Sequence, residues 1–359
     1  MKIIQILPTL SYGDAVGNDT RSIGRLLKNM GYETQIYAEN IDARLPRGTA
    51  HSITKLPRLK REDVILYHGS TGTPLNRLLP TLTGRKMMIY HNITPPEFFS
   101  PYSVQAAHRA QTGRQEIKRL AGDLEYFIAD SLYNRRDLQE MGYTCPIDVC
   151  PILIPLEDYQ QSPNQKLIEQ YKKDTVHTFL FVGRIAPNKC QEDLLRAFCC
   201  YQKCYHTQSR LVLVGSWTGM ERYYKRLRMY AEELEIAQDV LFTGHTDFHD
   251  VLAWYQIADV FLCTSEHEGF CVPLVEAMYF KLPIVAYSST AIPDTLGGCG
   301  ILLNSKQPDQ IAWEMHRLMH YRELREQIIT GQTQRLETFQ YHAVSQQLGQ
   351  YIQNFCVEK

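Results

Sequence analysis

The chain has 359 residues, 44% of them hydrophobic and 21% charged, the balance of a soluble globular protein in a length beyond what one hydrophobic core usually supports. Its 38 basic and 39 acidic residues leave a net charge of −1, which excludes a global field drawing it to nucleic acid or membrane and leaves only local patches. No apolar run approaches the ~20 residues that span a bilayer. Residues 1–8 are too short and too soon broken for a signal peptide and read as a first strand. None of the ten cysteines forms a Cys-x-x-Cys pair, so reduced thiols and a cytoplasmic setting are expected. Cys199, Cys200 and Cys204 fall on one helix with only His206 near and read as packing thiols.

In chain order, short apolar segments at 2–7, 34–38, 63–67, 86–90, 126–129 and 147–150 alternate with helical stretches at 18–30, 104–122 and 132–141. Strand-like segments return at 178–182, 210–214, 239–243, 259–263, 283–286 and 301–303. Such alternation predicts parallel sheets with helices on both faces, an α/β class built as two Rossmann-like domains. Pro151 and Pro155 interrupt the pattern ahead of a polar stretch at 160–165, which places the boundary between an N-terminal domain, 1–155, and a C-terminal domain, 156–338. A last helix is expected at 339–359, and no internal repeat or low-complexity tract is visible.

In the first domain, the loop at 8–20 carries Gly13, Asp14 and Gly17 and leads into a helix that Asn18 is placed to cap. Gly13 allows backbone to approach a ligand closely. Two roles are open for Asp14: binding an acceptor hydroxyl, or holding the loop through an Asx-type bond. His91 ends a strand and enters a proline-braced loop, where it can donate to developing charge or to a sugar hydroxyl. His68 is a similar, weaker candidate.

The second domain carries the more specific signals. The strand at 178–182 runs into Gly183, and Arg184 and Lys189 follow on the strand-to-helix loop, at the carboxyl edge where open α/β sheets bind ligands. A guanidinium fork and an ammonium point charge suit a diphosphate leaving group. Between residues 264 and 278, Glu268 and Glu276 bracket a loop that turns into a helix with Pro273 in its first turn. Unpaired amides near Gly269, Phe270 and Cys271 offer a phosphate site at the helix N-terminus, Glu268 a partner for sugar hydroxyls, and Glu276 a partner for ribose. His267, between them, reads as an exposed loop histidine.

Glu268-Gly-Phe-Cys-Val-Pro-Leu-Val-Glu276, together with Gly183-Arg184 and Lys189, resembles the retaining glycosyltransferases of family 4, whose signature is two glutamates separated by seven residues. The resemblance implies a GT-B architecture, two Rossmann-like domains with parallel sheets facing a cleft and a terminal helix that crosses back to the first domain. It also implies donor-phosphate binding by Arg184 and Lys189. Two positions depart from the family pattern: Gly13-Asp14 stands where a Gly-Gly pair is usual, and Cys271 where glycine is common. No Asp-x-Asp element sits at a strand end, so metal-independent transfer is expected, on one face of the sugar, with no resident cofactor. By loose resemblance the donor is GDP-mannose, with a UDP-sugar as runner-up, and the acceptor a glycan or lipid-linked glycan, not nucleic acid. A nucleotide-sugar epimerase of the same architecture and a noncatalytic sugar-nucleotide binder are the alternatives. The segment 76–88 mixes leucines and methionines with Arg77, Arg85 and Lys86 and is expected to make peripheral contact with anionic membrane.

Overall fold

The computed structural model describes residues 1–173 and 175–357, and they form two compact units. One comprises Met1–Pro96, Gln105–Pro155 and Phe339–Lys359; the other comprises Glu97–Val104 and Leu156–Thr338.

The first unit is built on β1 Lys2–Leu10, β2 Glu33–Ile41, β3 His51–Ser52, β4 Val64–Gly69, β5 Arg85–Tyr90, β6 Tyr126–Ala129 and β7 Ile147–Val149. They form one parallel sheet in the order β3-β2-β1-β4-β5-β6-β7. All six residues of β4 are buried, as expected of a central strand covered on both faces. The helix Tyr341–Val357 belongs to this unit. Its Val344, Leu348, Ile352 and Phe355, spaced as one helical face, share a core with Ile3, Ile23, Leu27, Val64 and Met87. Each such side chain contributes roughly 1.5–3 kcal/mol of hydrophobic transfer. Arg85 pins the far end: its Nη1 donates to the Phe355 carbonyl at 2.5 Å and its guanidinium lies 4.0 Å from the Phe355 ring centroid.

The second unit holds β8 His177–Val182, β9 Ser209–Val214, β10 Val240–Gly244, β11 Val260–Cys263, β12 Ile284–Tyr287 and β13 Ile301–Leu303, parallel in the order β10-β9-β8-β11-β12-β13. The chain therefore winds outward from β8 in one direction and from β11 in the other. The two loops that leave the carboxyl ends of these neighbouring strands part at this switch point and open a crevice between them. In the first unit the same reversal lies between β1 and β4.

Three expectations change. The helix expected to begin at Asn18 spans Ala15–Asn29, because Asp14 adopts the extended cap conformation and accepts from the Gly17 amide at 2.5 Å. Asp and Asn are equally good caps, so composition alone did not choose between them. The segment 76–88, expected to meet anionic membrane, has part of its apolar set inside the core. It divides into a short helix Leu75–Leu78, a 3-10 turn Leu79–Thr81 and the start of β5, and Leu79, Met87 and Met88 are buried. The apolar area of those three is spent on the core, whereas Leu78 is exposed. Finally, residues 97–104 group with the second unit, where Tyr102 stacks edge-on against Tyr223 at 5.0 Å.

Candidate functional site

β8 ends at Gly183, whose amide donates to Val214 O at 2.9 Å while its φ of +150° favours glycine. Arg184 follows, exposed, with Nη2 donating to the Thr218 carbonyl at 3.3 Å. A 3-10 turn, Pro187–Lys189, then brings Lys189 inward. Its ammonium meets Glu268 Oε2 at 2.6 Å, with 20% of the lysine side chain and 10% of the glutamate exposed. Burial works against the Lys189 charge, but the Glu268 carboxylate outweighs it and lifts the lysine pKa above its ordinary value. A cation and a carboxylate 79 positions apart are thus joined at the mouth of the crevice.

Asn188 clamps the two loops together. Its carbonyl accepts from the Glu266 amide at 2.9 Å and its Nδ2 donates to the His267 carbonyl at 3.0 Å. Lys306 adds a third tie, reaching Asp193 at 2.7 Å and also Glu266. The Glu268 amide donates to Thr290 Oγ1 at 2.9 Å, and Thr295 Oγ1 donates to the Phe270 carbonyl at 2.5 Å. His267 corrects the sequence reading: it is 4% exposed, with its ring 6.1 Å from that of Phe98.

The helix Val272–Tyr279 starts at Cys271, which takes the left-handed conformation at φ +73°. That backbone explains why glycine suits the position, and the cysteine holds it under strain. Cys190 and Thr290 also have positive φ, so three of the six such non-glycine residues among those described lie on the loops of this crevice. Strained backbone of this kind gathers where a site needs fixed geometry. Gly269, Phe270 and Cys271 lie just ahead of the helix, and one turn inside it stands Glu276. Tyr159 donates to Glu276 Oε1 at 2.5 Å and Tyr255 to Oε2 at 2.5 Å. Burial raises the Glu276 pKa against the pull of these two hydroxyls. A carboxylate offers about four lone-pair sites, so Glu276 retains capacity for a diol. Neither tyrosine was singled out from the sequence; Tyr159, six residues before the crevice unit settles into its first helix Gln165–Tyr171, carries no local signal.

In the first unit, Gly13 takes φ +76° and Asp14 is the cap described above, the second of its two open roles. His91 lies at the carboxyl end of β5 with its side chain 2% exposed and both ring nitrogens engaged. Nδ1 is 2.8 Å from Asp130 Oδ2, and Nε2 is 2.9 Å from His68 Nδ1. His68 Nε2 faces the Gln5 carbonyl oxygen at 3.0 Å. With that oxygen as acceptor, His68 must carry its proton on Nε2, accept on Nδ1 from His91, and leave His91 donating from both nitrogens as an imidazolium. The charges agree. Burial holds His68 well below the usual histidine range, whereas Asp130 and Asp19 offset burial and raise His91. Asp19 itself, 4.0 Å from His91 and accepting from the Leu153 amide at 2.8 Å, is pushed by burial up to about 7.

Residues 164–335 match the family model described as Glycosyl transferases group 1. The chain is 29% identical over 181 residues to D-inositol 3-phosphate glycosyltransferase of Streptosporangium roseum, covering 48% of this chain and 41% of that protein. It is 23% identical over 211 residues to the GDP-mannose-dependent alpha-(1-6)-phosphatidylinositol monomannoside mannosyltransferase of Mycobacterium tuberculosis, covering 55% and 54%. It thus spans about half the length of the curated relatives it matches. Among solved structures, HepE of Anabaena in complex with UDP-glucose is similar in fold, with a TM-score of 0.74 at 19% identity over 99% of this chain and 100% of that one. With two parallel-sheet α/β units, the second of them matched by the family model, the chain has the GT-B fold and carries a domain of the glycosyl transferases group 1 family.

Proposed function

We propose that the protein is a retaining glycosyltransferase that moves a hexose from a nucleotide-diphosphate sugar to a hydroxyl of a glycan or lipid-linked glycan. The observation that carries this reading is the Lys189–Glu268 pair at 2.6 Å, set at the switch point of the second sheet with Glu276 one helical turn away. Arg184 and Lys189 neutralise the diphosphate as its bond to the sugar breaks, and the amides of Gly269, Phe270 and Cys271 cradle its oxygens. Glu268 orients sugar hydroxyls and Glu276 the ribose. The acceptor oxygen bonds to the anomeric carbon as the phosphate oxygen leaves from the same face, and the acceptor proton passes to that leaving phosphate. Cationic side chains supply the charge stabilisation, so the reaction needs no divalent ion.

GDP-mannose is the favoured donor and a UDP-hexose the second. The mannosyltransferase relative supports the first, and the UDP-glucose complex of the fold neighbour supports the second. On this reading the first unit receives the acceptor near Gly13 and Asp14. His91, whose nitrogens are both taken, is a positioning residue that contributes a fixed positive charge. Thermal-shift titration with GDP, UDP, GDP-mannose and UDP-glucose tests the reading, since a ligand at a hundredfold excess over Kd stabilises by about 2.7 kcal/mol. No shift with any of the four would overturn it.

A further inference from the structure

Cys263 closes β11, and Cys271 starts the helix Val272–Tyr279 eight residues later; both thiols are free and buried, with their Sγ atoms 4.0 Å apart. The Glu268 carboxylate completes a triangle in which the two sulfurs and one oxygen all lie within 4.8 Å of one another. A tetrahedral Zn²⁺, with Zn–S near 2.3 Å and Zn–O of about 2.0–2.2 Å, holds two sulfurs about 3.8 Å apart and a sulfur and an oxygen about 3.5 Å apart. The sulfur pair already stands at nearly that span. Two thiols and a carboxylate also discriminate by softness, favouring zinc or cadmium over magnesium or calcium.

We infer that Cys263, Cys271 and Glu268 form a binding site for one thiophilic divalent cation, with its fourth position left to water. Charge does not oppose it: one dication enters as two thiol protons leave, so the sum over the two sulfurs, Glu268 and Lys189 is unchanged. An ion held there draws Glu268 away from Lys189, so the site is inhibitory and a chelator relieves it. That consequence for turnover rests on the transferase reading; the binding itself does not.

The test is titration of the reduced, metal-free full chain with Cd²⁺, following the sulfur-to-cadmium charge-transfer absorption. One equivalent with micromolar or tighter Kd is expected. Cys263→Ala and Cys271→Gly should each weaken it at least about tenfold, while Cys204→Ala, on the exposed thiol of another helix, leaves it unchanged. Cys271→Gly relieves the positive φ, so its loss of cadmium binding is not a loss of fold. A full equivalent surviving in Cys271→Gly, or one lost in Cys204→Ala, would overturn the assignment. Cadmium binding without any nucleotide-induced thermal shift would count against the transferase reading and leave the metal site standing.

Discussion

The hydroxyl of Tyr159 donates to Glu276 Oε1 at 2.5 Å across 117 residues of chain. It makes the segment that follows the first unit a structural part of the crevice in the second. Tyr255 grips the other oxygen, so the orientation of Glu276 is set from two sides before any ligand arrives.

The first prediction follows from that grip. Tyr159→Phe removes one donor of about 0.5–1.5 kcal/mol and should weaken nucleotide binding roughly threefold to tenfold with little change in kcat. The double variant with Tyr255→Phe should lose more than the sum, because Glu276 is then free to rotate. Isothermal titration with GDP and UDP decides it, and unaltered affinity in the double variant would remove Glu276 from the nucleotide site.

Arg184 and Lys189 should separate by stability. Arg184 is exposed, so Arg184→Ala should hold its melting behaviour within about 0.5 kcal/mol of the parent. Lys189→Ala strands Glu268 in a largely buried place and should destabilise the unit by on the order of 1–3 kcal/mol. Both should reduce kcat by about 10²-fold or more. Near-parental turnover in either would sink the phosphate-clamp role.

Excess EDTA should leave transfer intact, because Arg184, Lys189 and helix-start amides provide the positive charge at the leaving group. Initial rates with and without chelator, and with added Mg²⁺ or Mn²⁺, check this. A steep divalent requirement would show that the leaving-group chemistry is of another kind.

The buried cluster of the first unit predicts a pH dependence. Asp19 faces His91 and Asp130, and its pKa is pushed by burial to about 7, against about 3.9 in an unfolded chain. Between those values the folded state holds a proton that the unfolded state has lost, so stability falls as pH rises. His91 has the same sign: its raised pKa contributes stability below about 6.5 that is lost as pH climbs through the folded value. From about pH 5.5 to 7 the Asp19 contribution should fall by about 2 kcal/mol, while His68, whose pKa burial lowers, contributes in the opposite sense; Asp19→Asn should therefore lose less stability over that range than the parent, since the amide oxygen still accepts from Leu153. Parallel pH profiles for parent and variant would refute the assignment.

The two-sheet architecture was legible because every central strand is covered on both faces and so appears as an apolar run between helical stretches. β3, only two residues at a sheet edge, carries no such run. The glycine turn and the cationic and acidic residues of the second unit were legible as strand-end punctuation. Asp130, Asp19 and Gln5 were not, for each acquires its meaning only from a ring brought beside it by sheet pairing. His267 shows the opposite failure, a polar residue in a polar stretch that the Asn188 clamp and the Phe98 ring carry out of solvent. Tyr159 and Tyr255 were invisible for the same reason as Asp130: tyrosines are common core residues, and only tertiary placement turns a hydroxyl toward a carboxylate.

The strand order has a kinetic consequence. β8 and β11 are neighbours in space, yet the salt bridge between their loops spans 79 residues, with β9 and β10 and their helices in between. Closing so long a loop is repaid only once the intervening turns are formed, so the β8–β11 seam should be among the last contacts made as the unit folds. The crevice is then the youngest part of the structure on the folding path, and its completion reports that everything between the two strands is already in place.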